Sequence, residues 1–172
     1  MIHIIKRNWF NIILSIIILA MLVQRLPSWI EAWKLQGQKA PNFQAETLDG
    51  TQVNIPETLP KPGALIFWAT WCGPCTLELS RIKTMIENKE LDPSLIRAIS
   101  IGEDPDLVKK TVTDRKYNFP VLIDTRETSA KLYKVFATPT IIIFNEKGEI
   151  DWVGTGISPT LSIRLKKLGK KE

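Results

Sequence analysis

Apolar residues run through this chain in more than one rhythm. From Trp9 to Val23 they are almost continuous, interrupted only by Asn11 and Ser15. Carried on to Leu26, the run predicts a helix of about 27 Å at 1.5 Å per residue, close to the roughly 30 Å hydrocarbon core of a bilayer. Trp9, Trp29 and Trp33 stand where interfacial aromatics belong, and Arg25 could snorkel at one end. The pattern reads as one uncleaved transmembrane anchor over residues 9–26, behind a short tail, 1–8. A cleaved signal peptide is the alternative, but no small-x-small signature follows the run; a buried soluble helix is a further one. Lys6 and Arg7 precede the span while Arg25, Lys34 and Lys39 follow it, so basic residues alone do not orient it. A long domain after a short tail fits a signal-anchor topology.

Beyond the anchor the rhythm breaks into short alternating segments. Ser28 and Glu31 have capping-box spacing, which predicts a short helix over 29–36 ended by Gly37. Residues 27–39 thus read as a juxtamembrane linker, and 40–172 as one folded domain. Strands at 43–47 and 51–55 flank Asp49-Gly50, a strong hairpin signal. Pro56, Pro60 and Pro62 stiffen the next connection. A strand at 64–69 precedes a helix over 74–88, with Leu79, Ile82 and Ile86 along one face. Strand 95–101, a helix from Asp104-Pro105 to 117, strand 121–123 and a helix over 128–135 come next. Strand 140–144 turns at 145–148 into an edge strand, 150–153, and Ser158-Pro159 opens the closing helix. Strands alternating with helices, then a hairpin, predict an α/β domain with a mixed sheet covered on both faces.

Composition changes this picture little. The 172 residues are 44% hydrophobic and 24% charged, enough apolar material for one sizeable core. The net charge of +5 is spread along the chain, apart from Lys166, Lys167, Lys170 and Lys171. That cluster reads first as a solvated last helix and tail, and second as a contact for anionic lipid. No aromatic residues interleave with it, so nothing argues for nucleic acid.

The chemistry is concentrated in Trp71-Cys72-Gly73-Pro74-Cys75, which holds the only two cysteines. Two thiols at this spacing can close a small ring and open it again, as a redox couple does. The motif falls where the 64–69 strand gives way to a helix. There, unpaired N–H groups and a partial positive charge favour thiolate over thiol. Pro74 suits an early helical position. Zinc would need about four ligands, and there is no second cysteine pair; His3, the one histidine, lies at the extreme N-terminus. A purely structural disulfide remains open, but so small a ring removes little loop entropy and would be a weak staple.

The segment 67–75, Phe-Trp-Ala-Thr-Trp-Cys-Gly-Pro-Cys, closely resembles the active site of thioredoxin-fold oxidoreductases. Ala137-Thr138-Pro139-Thr140 is similar to that fold's second signature, a loop whose cis-proline faces the cysteines. Gly148-Glu149-Ile150 and Gly156 follow the family's last hairpin and the turn beyond it. Pro139 lies 64 residues after Cys75, more than a minimal thioredoxin needs. The surplus fits an inserted strand-helix unit near 104–123. With the N-terminal hairpin and the anchor, the chain resembles the TlpA/ResA group of extracytoplasmic thioredoxin-like reductases over residues 40–168.

The resemblance implies a disulfide oxidoreductase in which Cys72, exposed at the helix N-terminus, attacks and Cys75 resolves. It implies that Trp71, Thr138 and Pro139 bind substrate, while Trp68, Gly73, Pro74 and Gly156 shape the site. No metal and no cofactor is expected beyond the Cys72–Cys75 disulfide. Cytoplasmic thioredoxins carry a buried aspartate where this chain has Ile66, so Glu78, on the same helical face as Cys75, is the expected proton-handling group. A Gly-Pro centre is similar to that of reducing members. The expected partners are protein disulfides, with apocytochrome c in cytochrome c maturation as one candidate, and a membrane-embedded electron donor. The expected location is the bacterial cytoplasmic membrane, with the redox domain on its outer side. The alternatives are a disulfide oxidase and a non-catalytic binding module. A peroxidase is disfavoured, because the Pro-x-x-x-Thr-x-x-Cys pattern of peroxiredoxins is missing around Cys72.

Overall fold

The computed structural model describes residue 9, residues 11–23 and residues 34–169. Residues 11–23 are helical and exposed throughout. At 1.5 Å per residue this stretch is about 20 Å long, and among the described residues no helix is both long and apolar enough to cross a membrane. Residues 10 and 24–26 of the expected 9–26 span, and most of the expected 29–36 helix, lie outside the described residues. Residues 35–38 are bound to the folded domain. Gly37, at φ 79°, donates its N–H to Ile150 O (2.8 Å), Ile150 N–H donates to Gln38 O (2.8 Å), and Leu35 is buried.

The domain is one seven-stranded mixed sheet. Its strands are β1 (Phe43–Thr47), β2 (Gln52–Ile55), β3 (Gly63–Trp68), β4 (Ile96–Ile101), β5 (Val121–Asp124), β6 (Thr140–Phe144) and β7 (Ile150–Thr155). They lie in the order β2-β1-β5-β4-β3-β6-β7. β3, β4 and β5 run parallel, whereas the β1–β2 hairpin and the β6–β7 hairpin are antiparallel additions on either side. The expected hairpin therefore extends the sheet, and the expected strand-helix insertion supplies β5 and the helix before it.

Among the described residues, the sheet is covered by α1 (Gly73–Glu87), α2 (Pro105–Arg115), α3 (Thr128–Leu132) and α4 (Leu161–Leu168). Period-two alternation in β3 divides the core. Ala64, Ile66 and Trp68 pack with Leu79 and Ile82 of α1, Val108 and Val112 of α2, and Leu161 and Leu165 of α4. Leu65 and Phe67 pack on the opposite face with Phe43, Tyr133, Ile142 and Phe144. That second face is covered by α3, ending at Tyr133, and by Leu35 and Leu59 from non-helical segments. β3 is buried at all six positions because both its neighbours and both its faces are occupied.

Candidate active site

The site forms where β3 ends. Parallel strands leave loops at their C-terminal ends, and here the chain turns directly from Trp68 into α1. Cys72 N–H donates to Ala69 O (3.2 Å), and Cys72 is the N-cap of α1. The Cys75 N–H donates to Cys72 Sγ (3.2 Å), so one otherwise unpaired amide of the first turn is aimed at the sulfur. A negative charge on Cys72 would be stabilised there by this donor and by the helix dipole. Pro74 occupies the first turn, where its missing N–H costs nothing. Cys72 and Cys75 are joined as a disulfide, with Cα atoms 5.2 Å apart.

The Thr138–Pro139 peptide bond is cis, and Thr138 O lies 3.5 Å from Cys72 Sγ. A disulfide sulfur has no proton to give, so this contact becomes a hydrogen bond only when the pair is reduced. Gly156, at φ 81°, donates its N–H to Pro139 O (2.8 Å). The strand-to-helix turn, the Pro139 loop and the turn after β7 therefore meet around the sulfurs.

Two expectations change, and Glu78 has partners that the sequence does not show. Cys72 is not openly exposed: its accessibility is 5%, against 0% for Cys75, because the Thr138–Pro139 loop covers the sulfur. Trp68 does not shape the surface. The pleat turns it into the core, edge-to-face with Tyr117 at 5.9 Å, while Trp71 is 79% exposed. Glu78 is fully buried, accepts from Ser158 N–H (2.7 Å), and accepts from Arg81 Nη1 on both oxygens (3.2 and 3.0 Å). Arg81 also donates to Ser158 O and Ser162 Oγ. Glu78 and Arg81 thus fasten the β7–α4 connection to α1.

The pattern of the sequence gives no hint of a second polar group beside the motif. Glu103, in the β4–α2 loop, and Arg115, the last residue of α2, both reach Thr70, two positions before Cys72. Nothing in the periodicity marks them. Glu103 precedes the N-cap Asp104 and looks like part of a helix start, and Arg115 looks like an ordinary basic last-turn residue. Among the described residues no group of histidine, cysteine or acidic side chains could hold a metal ion.

Residues 36–153 match the AhpC/TSA family. The chain belongs to that family. Within it, the chain is 31% identical over 121 residues to thiol-disulfide oxidoreductase ResA of Bacillus subtilis (strain 168), covering 70% of this chain and 68% of that protein. It is 27% identical over 154 residues to the sporulation thiol-disulfide oxidoreductase A of the same organism, covering 88% and 92%. The crystal structure of StoA from Bacillus subtilis superposes with a TM-score of 0.60 at 26% identity, over 76% of this chain and 98% of that one. These relatives bear out the resemblance to the TlpA/ResA group, and with it a thioredoxin-like fold. The protein is a thiol-disulfide oxidoreductase.

Proposed function

We propose that the protein is a membrane-tethered reductase of protein disulfides, working outside the cytoplasm. The observation that carries the exchange chemistry is the Cys72–Cys75 pair at the N-terminus of α1, with Cys75 N–H on Cys72 Sγ. In the reduced enzyme the Cys72 thiolate attacks one sulfur of a client disulfide. The Cys72–client S–S bond forms, the client S–S bond breaks, and the client's other sulfur leaves and takes a proton. The Cys75 thiol loses its proton and attacks Cys72 Sγ. The client's second thiol is released, and the pair ends in the closed form. Two electrons have passed to the client.

The reducing direction is supported by Gly73-Pro74 between the cysteines, a centre similar to that of reducing members. Couples in this fold span about −270 to −120 mV, some 7 kcal/mol for two electrons. Equilibration with a glutathione or dithiothreitol couple measures where this pair lies. A potential near −270 mV is expected, and one near −120 mV would instead make the protein an oxidase. A non-catalytic module would keep the pair closed, and alkylation in cells would never label Cys72.

The tether is supported by the helical residues 11–23, which expose Ile12, Ile13, Ile16, Ile17, Leu19 and Leu22 at once. A helix that is apolar all round needs a core or a bilayer to surround it. Outside the cytoplasm no cytosolic thiol pool keeps Cys72 reduced, so the proposal includes a membrane-embedded electron donor. Apocytochrome c is the client to try first, since haem attachment requires its cysteines reduced. Protease added to intact spheroplasts should digest the redox domain; a domain protected until lysis would end this reading.

A further inference from the structure

Two oppositely charged side chains converge on Thr70. Its N–H donates to both oxygens of Glu103 (3.0 and 2.9 Å), and its hydroxyl donates to Oε1 (2.5 Å). Ser100 Oγ donates to Oε2 (2.6 Å), so the carboxylate is buried with its acceptor sites used. From the other side Arg115 Nη2 donates to Thr70 O (3.4 Å). Arg115 Nη1 donates to Thr76 Oγ1 (2.5 Å) and to Tyr117 OH (3.4 Å), and the Thr76 hydroxyl donates to Cys72 O (3.4 Å). The guanidinium is therefore one hydroxyl away from the backbone of the attacking cysteine. Glu103 lies just before α2 and Arg115 at its end, so a single helix supports both arms. Among the described residues no ion pair joins Glu103 to Arg115.

We propose that Glu103 and Arg115 are positioning residues of the redox centre, clamping Thr70 so that the turn presents Trp71 and Cys72, and acting on the Cys72 sulfur with opposite charge. Thr70 and Cys72 lie at most about 7 Å apart along the chain, and with the side chains added the two charges sit on the order of 10 Å from the sulfur. At about 10 Å and an effective dielectric of about 50, between protein surface and bulk water, a unit charge moves a thiol's ionisation by about half a pH unit. The other charges near the site are already committed. Glu78 on α1 is paired with Arg81. On α2, Lys109 pairs with Asp106 and Lys110 with Asp114. The loops packed on the site from β6 and β7, residues 136–139 and 156–160, carry no charged residue. Lys83 of α1 donates to Arg115 O (3.3 Å) and pairs with Glu87. Glu103 and Arg115 are the charged side chains hydrogen-bonded to Thr70, in the turn that carries Cys72. The clamp rests on thiol-disulfide exchange at this pair, and not on the direction of electron flow or on the tether.

The test is a thiolate titration of the reduced full-length protein in detergent, followed by ultraviolet absorbance, which needs no client. The two thiols are coupled, so the readout is the first apparent pKa of the pair. Glu103→Gln removes a negative charge and should lower that value by about half a unit, while Arg115→Gln should raise it by about as much. Arg115→Lys keeps the charge but loses the two-pronged grip, so it should titrate like the parent and turn over more slowly. If both glutamine variants moved the same way, or neither moved, the opposed-charge clamp would be wrong. Should Glu103→Gln fail to fold, the Arg115→Gln and Arg115→Lys pair decides alone, since only a charge effect separates them. A titration that shifts as expected in a protein that exchanges disulfides but does not reduce client proteins would support the clamp and count against the reductase reading instead.

Discussion

Cys72 and Cys75 differ by less than one helical turn, yet their environments give them different work. Cys72 caps α1, receives an amide N–H and keeps a small accessible surface; Cys75 is wholly buried. In the reduced protein, alkylation should therefore label Cys72 first. Cys72→Ser should abolish disulfide exchange, whereas Cys75→Ser should accumulate mixed disulfides with clients, visible on non-reducing gels. Faster labelling of Cys75 would reverse the roles. Glu78 requires a separate prediction. The sequence shows its helical face but not its partners, and those partners make it a bracket between α1 and the Ser158 turn. Glu78→Gln breaks an ion pair that is buried on one side and half-exposed on the other. It should lower stability by about 1–2 kcal/mol, less than a fully buried pair would cost. A urea midpoint measures that loss. An unchanged midpoint together with a shifted thiolate titration would return Glu78 to proton handling.

At the scale of elements, α3 shows how a short helix is held. It has five residues and no side-chain cap bond at Glu127, so its own turns contribute little. Asp124 accepts from the Thr128 and Ser129 N–H groups, and the helix ends in Tyr133, buried among Phe43, Phe67 and Phe144. The Tyr133 hydroxyl donates to Pro41 O (2.8 Å), and burial pushes its pKa up from the ordinary 10.0. A raised folded-state pKa means stability that is fully present below pH 10 and lost as pH rises toward the folded value. Tyr133→Phe should thus cost about 1 kcal/mol at neutral pH, through the lost hydrogen bond, and should decline less steeply than the parent above pH 10. Denaturant midpoints at neutral and alkaline pH check both parts; parallel alkaline declines would contradict the second.

Elements of this kind were largely legible in the sequence. Alternation, proline positions and Asp49-Gly50 mark all seven strands and the closing helix to within a few residues. The hidden parts are those fixed between elements. The pleat of β3 sends Trp68 inward and Leu65 to the far face, which a continuously apolar run cannot reveal. Glu103, Arg115 and Thr70 meet only because β3, β4 and α2 are adjacent in space, across 33 and 45 residues of chain. The accessibility of Cys72 likewise depends on a loop 66 residues away.

On the scale of the whole molecule, the chain enters the domain at the end of the sheet opposite the cysteines. Gly37, Gln38 and Ala40 pair with Gly148 and Ile150 beside the β6–β7 turn. Phe144, at that turn, is in register with Gly63, where β3 begins, whereas Cys72 follows the other end of β3. One six-residue strand, about 20 Å, therefore separates the entry point from the redox centre, and a proposed tether at 11–23 would leave the sulfurs facing away from its attachment. Residues 35–40 are then part of the fold and not merely a spacer, since they add backbone hydrogen bonds to β7 and bury Leu35 against the α3 face of the sheet. Two truncations separate these functions. A chain starting at residue 34 should fold, remain in solution without detergent and keep its disulfide exchange. A chain starting at residue 41 loses the buried Leu35 and three backbone hydrogen bonds to residues 148–150. Its denaturant-derived stability should be lower, with the thiol titration unchanged because the cysteines lie at the far end. Equal midpoints for the two truncations would mean that residues 35–40 rest on β7 without supporting it.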